Sequence, residues 1–257
     1  MFKYEYPVFE HKNILKKEML DELRDYPLSV SRMLLGEYGE GILTGCEIHW
    51  EKEVLTVHPG LLHYEGNIYR MEEPYTLECR PTDALTYIKI RFVTMNYGRD
   101  HKGGMGEILL SEEAPEEDEL ELGRFRLQEG ARLRTVYENF EDYQTEYDTV
   151  NRIHVPFAQP DGVGLWQKLL MDYASELLET GTENVYDISF AMQLLGMQGR
   201  VTGRFVKMYV EKAGGRALTD GSNGAVYAGL LRILRERRAG ESGWKRQEPL
   251  TRQMILL

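Results

Sequence analysis

The chain of 257 residues has 42% hydrophobic and 28% charged residues and a formal net charge of −11. These values are typical of a globular protein large enough for one or two cores, whereas a net negative charge disfavours sequence-independent nucleic-acid binding. No apolar run approaches the roughly 20 residues that a membrane-spanning helix needs, and the polar N-terminus differs from a signal peptide. We therefore expect synthesis in the cytoplasm, no membrane insertion and no binding of nucleic acid.

The first predicted element is an amphipathic helix. Asn13 is its expected cap, and Pro27 is expected to end it. Four apolar residues follow the cap at helical spacing, which predicts a single stripe that packs on another element: Leu15, Met19, Leu23 and Tyr26.

From about Gly39 the pattern changes to short strands separated by turn residues. Residues 61–64 and 68–71 flank Glu65-Gly66-Asn67 and predict a hairpin. From Tyr87 to Phe92 polar and apolar residues alternate, so we expect Lys89 and Arg91 on a solvated face. Residues 120–128 and 131–136 predict a last hairpin. No strand–helix–strand alternation occurs, which favours an antiparallel sandwich or open barrel.

Two segments within the strand region are predicted to be exposed loops. One is the glycine-rich stretch 96–106, whose glycines do not have the order of a phosphate-binding loop. The other is the carboxylate-rich stretch 112–121, which lacks the spacing of a calcium loop and is best interpreted as a solvated face.

After an acidic stretch that contains prolines, the spacing of apolar residues changes from that of strands to that of helices. The predicted fold class is therefore α+β. We predict an N-terminal helix plus an antiparallel β domain over 1–137, a linker over 138–161, and a small helical bundle with a C-terminal tail over 162–257. Glycines and caps mark four helices in the last part, near 165–178, 184–195, 203–213 and from 224 onward.

Candidate chemistry is sparse. Cys46, His49, His58 and His63 lie close in sequence, but their spacing matches no common zinc pattern. The two cysteines, Cys46 and Cys79, are interpreted as buried thiols. No motif with a catalytic mechanism is present. We predict no catalytic residue, no metal and no cofactor, although carboxylates brought together only by the fold are invisible to this reasoning.

Two groups of residues are candidate interface positions. Tyr137, Tyr143 and Tyr147 lie in the acidic linker, and tyrosine suits interfaces because an apolar ring carries a polar tip. Ordinary packing of the linker accounts for them equally well. Met254, Ile255, Leu256 and Leu257 form an apolar end after a polar stretch, and this end either folds back on the bundle or enters a partner.

The segment from Leu34 to Ile48 is the most informative. It resembles the motif Tyr-Gly-Asp-Gly-Val-Leu-Ser-Gly-Leu-Glu-Val of phage and prophage tail or baseplate proteins. The strand, the Pro59-Gly60 turn and the hairpin that follow it come in the same order as in those proteins. The resemblance covers about residues 14–137 and departs at Cys46, where that family has an apolar residue. Gly36, Gly39, Gly41 and Gly45 are expected to permit a tight helix-to-strand entry at positive φ.

This resemblance implies a structural component of a phage-tail-like or baseplate-like particle, with other tail or baseplate subunits as partners and a possible homo-oligomer. No catalytic residue is carried over from that family, so the chain is expected not to be an enzyme. Two alternatives stay open. The chain is a carbohydrate- or receptor-binding module of such a particle, or an enzyme with a dispersed site.

Overall fold

The computed structural model describes residue 4 and residues 6–11, 14–96, 102–197, 199–218 and 220–240. These residues form an α+β fold, which confirms the predicted class. A long N-terminal helix, α1 (Lys17–Leu34), precedes the strands, and four further helices follow them. The apolar end 254–257 lies outside the described residues, as does the predicted cap Asn13.

The strands form two packed layers with three hydrogen-bonded sheets. In chain order they are β1 (Gly41–Gly45), β2 (Ile48–Glu51), β3 (Val54–Val57), β4 (Gly60–Tyr64), β5 (Asn67–Met71), β6 (Tyr75–Glu78), β7 (Leu85–Asn96), β8 (Lys102–Ser111), β9 (Glu119–Arg126), β10 (Phe157–Gln159) and β11 (Gly162–Gly164). The sheet orders are β11-β10-β1-β4-β5, β2-β3-β6 and β8-β7-β9. The predicted hairpin at Glu65-Gly66-Asn67 is confirmed, since β4 pairs with β5 across it.

The alternation of side chains between the two faces of β7 explains the core between these layers. Ile88, Ile90 and Phe92 point inward from β7, and Phe92 stacks on Tyr64 of β4 with ring centroids 3.8 Å apart. The sheets are not wholly antiparallel as predicted, because β10 joins β1 in parallel through Ile42 and Phe157. Phe157 lies within the stretch 138–161 that the sequence predicts to be a linker.

The C-terminal helices are α2 (Gln167–Glu179), α3 (Val185–Gly196), α4 (Gly203–Gly214) and α5 (Asn223–Arg238). Three of them begin at a side chain that accepts a backbone N–H, as capping chemistry requires: Asn184, Thr202 and Ser222. Gly215 ends α4 at φ 64°, a conformation that glycine adopts readily. The four helices surround a core that includes Leu169, Tyr173 and Leu234.

Pro27 does not end α1, contrary to the prediction. The helix continues to Leu34 with Pro27 inside it. A proline removes one hydrogen bond of the helix. Hydroxyl groups of Ser29 and Ser31 donate to the carbonyls of Tyr26 and Pro27, so the carbonyls near the proline gain partners.

The described residues of the segment 96–106, which are residue 96 and residues 102–106, are strand, which corrects the loop prediction for them; residues 97–101 lie outside the described residues. β7 and β8 pair over ten residue pairs, from Tyr87↔Ser111 to Asn96↔Lys102. A Cβ on Gly104 would meet Tyr69 of β5, and a Cβ on Gly106 would meet Ile90 of the neighbouring strand β7. Gly104 therefore makes room for a side chain of β5, and Gly106 for one of β7.

Residues 131–136 do not form the predicted hairpin with β9. Their described pairing is an isolated bridge between Arg134 and Thr149. Arg134 also forms a bidentate ion pair with Asp142, at 2.9 Å for each bond. These partners come from the acidic stretch, which the local pattern of residues 131–136 does not reveal.

The stretch 138–161 is packed against both cores. A short 3-10 helix (Phe140–Gln144) contributes Phe140 and Tyr143 to the helical core. Val150 and Val155 belong to the core of the β layers. The division of the chain into two parts stays a proposal, and this stretch is the packed seam between the two cores.

The glycines at the helix-to-strand entry have different roles. Gly41 and Gly45 have φ of 149° and 71°, so these two meet the expected positive φ. Gly36 and Gly39 do not, which corrects the prediction for them. Gly39 is held instead by close approach, because a Cβ there would lie 2.3 Å from the backbone of Gly162.

Candidate docking surface

Helix α1 is exposed along its whole length. None of its 18 residues is buried, and at 1.5 Å per residue it is roughly 27 Å long. Its apolar residues include five at alternating spacings of four and three, the pattern of a helix–helix seam. We call these residues the α1 stripe: Met19, Leu23, Tyr26, Val30 and Met33.

The α1 stripe is largely uncovered in the described part of the chain. Leu23 and Tyr26 are 49% and 50% exposed, Met33 is 82% exposed, and Met19 and Val30 are half-buried. A helix with one apolar face normally buries that face against another element. The sequence predicted such packing, but among the described residues no member of the stripe is buried.

The C-terminal end of α1 is fixed to the β layers. Arg32 reaches Asn67 at the tip of the β4–β5 hairpin, with 3.4 Å between Nη2 and Oδ1. After the helix, Tyr38 forms bridges with Pro160 and Gly162 beside β11. The helix is therefore held at its base, and its other end points away from that base.

A cleft opens beside this base, between β5 and β8. Its volume is about 870 Å³. Apolar side chains of both layers form part of its wall, among them Leu62, Met71, Ile90 and Ile108, and Arg32, Glu65, Arg70 and Glu107 supply charges of both signs. The Tyr69 ring also lines it, and burial raises the pKa of that phenol. Such a lining suits apolar contact more than acid–base chemistry.

Two buried ionic clusters lie elsewhere and satisfy themselves internally. On β7, Lys89 was predicted to be solvated but is 1% exposed, because its amine pairs with Glu119 at 2.7 Å and donates to the carbonyl of Glu113. Arg91 pairs with the same carboxylate. The end of the carboxylate-rich stretch is thus not a solvated face, because Glu119 is buried and its carboxylate is shared between Lys89 and Arg91.

The second cluster lies in the helical core. Asp187 is fully buried and accepts from Nε of Arg237 at 2.6 Å and from the hydroxyl of Tyr209 at 3.0 Å. Thr182 donates to it as well, and Tyr173 contacts Tyr209 at 3.0 Å. Every carboxylate oxygen has a donor, which is the condition for a stable buried charge. This cluster joins all four helices of the bundle, α2 through Tyr173, α3 through Asp187, α4 through Tyr209 and α5 through Arg237.

The cysteines and histidines do not converge. Cys46 and Cys79 are buried free thiols, and burial raises the pKa of each to about 11, so the reactive thiolate is scarce at neutral pH. His63 is buried against the carbonyl of Gly39, whereas His49 and His58 are exposed. Within the described ranges, no three His, Cys, Asp or Glu side chains are grouped for a metal ion.

The three tyrosines of the seam occupy different environments. Tyr143 is fully buried and donates to Asp172 at 2.6 Å, which corrects its assignment as a candidate interface residue. Tyr137 stacks on Tyr143 and donates to the carbonyl of Val150. Tyr147 is 58% exposed beside Arg126 and is the one of the three with a largely accessible ring.

Among the described residues, no helix has both the length and the apolarity needed to cross a membrane. No protein-family model matches the chain, and no curated protein sequence matches it. Six chains of solved structures match, among them the following two. One belongs to the type VI secretion system TssK-TssF-TssG baseplate subcomplex, with 13% identity, a TM-score of 0.45 and coverage of 91% of this chain and 100% of that chain.

The other is the crystal structure of TssK, with 10% identity and a TM-score of 0.46. The match covers 92% of this chain and 72% of that chain. Both neighbours are thus type VI secretion baseplate proteins. Neither TM-score is high enough to establish a shared fold.

Proposed function

We propose that this chain is a structural component of a phage-tail-like or baseplate-like assembly and acts by docking to neighbouring subunits, without turnover of a substrate. The exposed α1 stripe carries the proposal. It is an ordered apolar surface on a helix that contributes nothing to the chain's own cores. Large exposed apolar surfaces rimmed by polar residues are typical of protein–protein contact sites.

The energetics suit docking in an assembly. Full burial of a Leu or Met side chain contributes about 1.5–3 kcal/mol, so covering the half-exposed members of the stripe contributes about half of that for each. One such contact is weak after the cost of association. In a particle, linked contacts raise the effective concentration of each site, so modest surfaces suffice.

The test is incorporation into a particle. Contractile or tail-like particles are purified from the source cells, and this chain is quantified in them by mass spectrometry. Replacing Leu23 and Met33 by Asp is expected to reduce incorporation strongly, because two charges then face the partner. The same double replacement at Val185 and Met192, which are also exposed, serves as the matched control and is expected to incorporate normally.

Two results contradict the proposal. One is a complete particle that lacks this chain. The other is normal incorporation of the Leu23→Asp/Met33→Asp chain, which shows that the stripe docks to nothing. Circular dichroism of each variant establishes beforehand that its fold is intact.

A further inference from the structure

Strand β8 has one side without a strand partner among the described residues. It lies at the edge of its sheet, paired with β7 alone. Half of the backbone N–H and C=O groups of an edge strand face away from the sheet and accept another strand. Residues 103–107 of β8 are exposed.

The other long edge strand of this sheet is already covered. Beyond β9, Arg124 bridges to Asn151 and Arg126 bridges to Tyr147. Strand β8 is ten residues long, and its exposed residues 103–107 border the 870 Å³ cleft. A strand added to β8 continues the layer, and every second side chain of that strand then points toward the cleft.

The N-terminal segment has the pattern that such a strand needs. Tyr4, Tyr6 and Val8 alternate with other residues, and they are 77%, 69% and 52% exposed. The rings of Tyr4 and Tyr6 stack with centroids 6.2 Å apart, so both project to the same side, as residues i and i+2 do in an extended chain. We call residue 4 with residues 6–9 the arm.

Pro7 is compatible with a strand at the new edge. It lacks an N–H, which excludes it from the middle of a sheet but not from the outer side of an edge strand. On that outer side the proline also disfavours the addition of further strands. The pattern of the arm therefore fits one added strand and no continuing series.

The position of α1 favours a second molecule as the source of the arm. The base of α1 is at the rim of the cleft, where Arg32 lies. The arm precedes the other end of the helix, roughly 27 Å away, and an arm that served its own cleft would have to double back along the helix. In an exchange between copies, the arm reaches the cleft of a neighbour without that reversal.

We propose that the arm of a second copy of this chain adds to the edge of β8 and places Tyr4, Tyr6 and Val8 in the cleft. This inference goes beyond the docking of α1 and does not depend on it. Backbone hydrogen bonds to β8 supply part of the affinity, and the side chains in the cleft supply specificity. Exchange of an identical segment between copies is a low-cost route to an oligomer.

The test combines sedimentation with hydrogen exchange on the full chain. At high concentration the protein is expected to sediment as an oligomer, with the amides of residues 103–107 protected. In the Tyr4→Asp/Tyr6→Asp variant the oligomer is expected to dissociate and those amides to exchange about tenfold faster or more. The Val185→Asp/Met192→Asp chain is the control and is expected to behave as the unmodified protein.

A labelled synthetic peptide of residues 1–12 provides an independent probe. It is expected to bind the Tyr4→Asp/Tyr6→Asp chain, whose cleft is vacant, and to protect residues 103–107. Three results overturn the proposal: a monomer at every concentration, unchanged exchange of residues 103–107 in the variant, or protection that is independent of concentration. The last result means that each arm folds back on its own molecule.

Discussion

Asp187 and Arg237 illustrate how single residues fix the helical core. Both are buried, with side-chain exposures of 0% and 3%. Desolvation of two ions offsets most of their attraction, so the intact pair adds little net stability, whereas removal of one partner leaves a buried charge. The value of the pair lies in specifying how α3 and α5 pack.

We therefore expect Asp187→Ala to lower the free energy of unfolding by about 3–5 kcal/mol, measured by urea denaturation. The control is Arg235→Ala on α5, the helix that carries Arg237, which removes the exposed pair between Arg235 and Glu141. That change is expected to cost about 1 kcal/mol or less, because solvent screens exposed pairs. Equal losses in the two variants contradict the assignment of Asp187 as a structural centre.

The carboxyl of Glu119 makes the stability of the fold depend on pH. Burial raises the pKa of its carboxyl, but hydrogen bonds from Lys89, from the backbone of Glu116 and from Arg91 outweigh burial and hold the pKa below its usual value. A depressed pKa in the folded state contributes stability above the unfolded pKa of about 4.3. That contribution is lost as the pH falls through the folded value.

We expect the protein to lose stability on acidification. In the Glu119→Gln variant this loss is expected to be less steep, because the amide does not titrate. The urea midpoint, measured from pH 7 to pH 2, gives the slope for each protein. Glu112→Gln, an exposed position in the same stretch, is expected to leave the slope unchanged. An unaltered slope in Glu119→Gln shows that other carboxylates dominate acid unfolding.

At the scale of elements, most helices and hairpins follow from local patterns. Asn184, Thr202 and Ser222 cap their helices by contacts within three residues, which a sequence displays directly. The parallel pairing of β1 with β10 joins residues more than a hundred positions apart. The outer edge of β9 is covered only by isolated bridges. No local period carries that information.

The interior proline of α1 gives an element-scale prediction. Proline disfavours a helix interior by about 3 kcal/mol relative to alanine, and α1 has no buried residues to compensate. Pro27→Ala is therefore expected to increase helicity by circular dichroism, while the urea midpoint of the cores stays the same. A large shift of that midpoint would contradict the inference that α1 does not stabilise the two cores. The control is Ala174→Ser in the buried core of α2, which is expected to lower the midpoint.

At the scale of the whole molecule, the sequence predicted the α+β class and the change from strands to helices. It did not predict the exposed α1 stripe or the cleft, since apolar spacing indicates an amphipathic face but not what covers it. The prediction for Lys89 is wrong for a related reason. The alternation of polar and apolar residues places a lysine in water, but it does not show that the partner Glu119 lies 30 residues further along the chain.

The packed seam leads to a prediction about proteolysis. Phe140, Tyr143, Val150 and Val155 are buried in the two cores, so brief proteolysis of the isolated chain is expected to cut within residues 4–34 before it cuts within 140–157. Mass spectrometry of the first fragments measures this. Early cleavage within 140–157 supports a mobile linker instead and contradicts the packed seam.

Arg152 of the seam has a mechanical consequence. Its guanidinium donates to the carbonyl of Cys46 and to Glu47, and it lies over the rings of Phe157 and Trp166, the residue just before α2. One side chain thus ties the strand corner to the start of the bundle. Close-packed interiors have low compressibility and transmit strain, so a pull on the β layers is expected to reach the helices as a shared displacement, with little slack between the two cores.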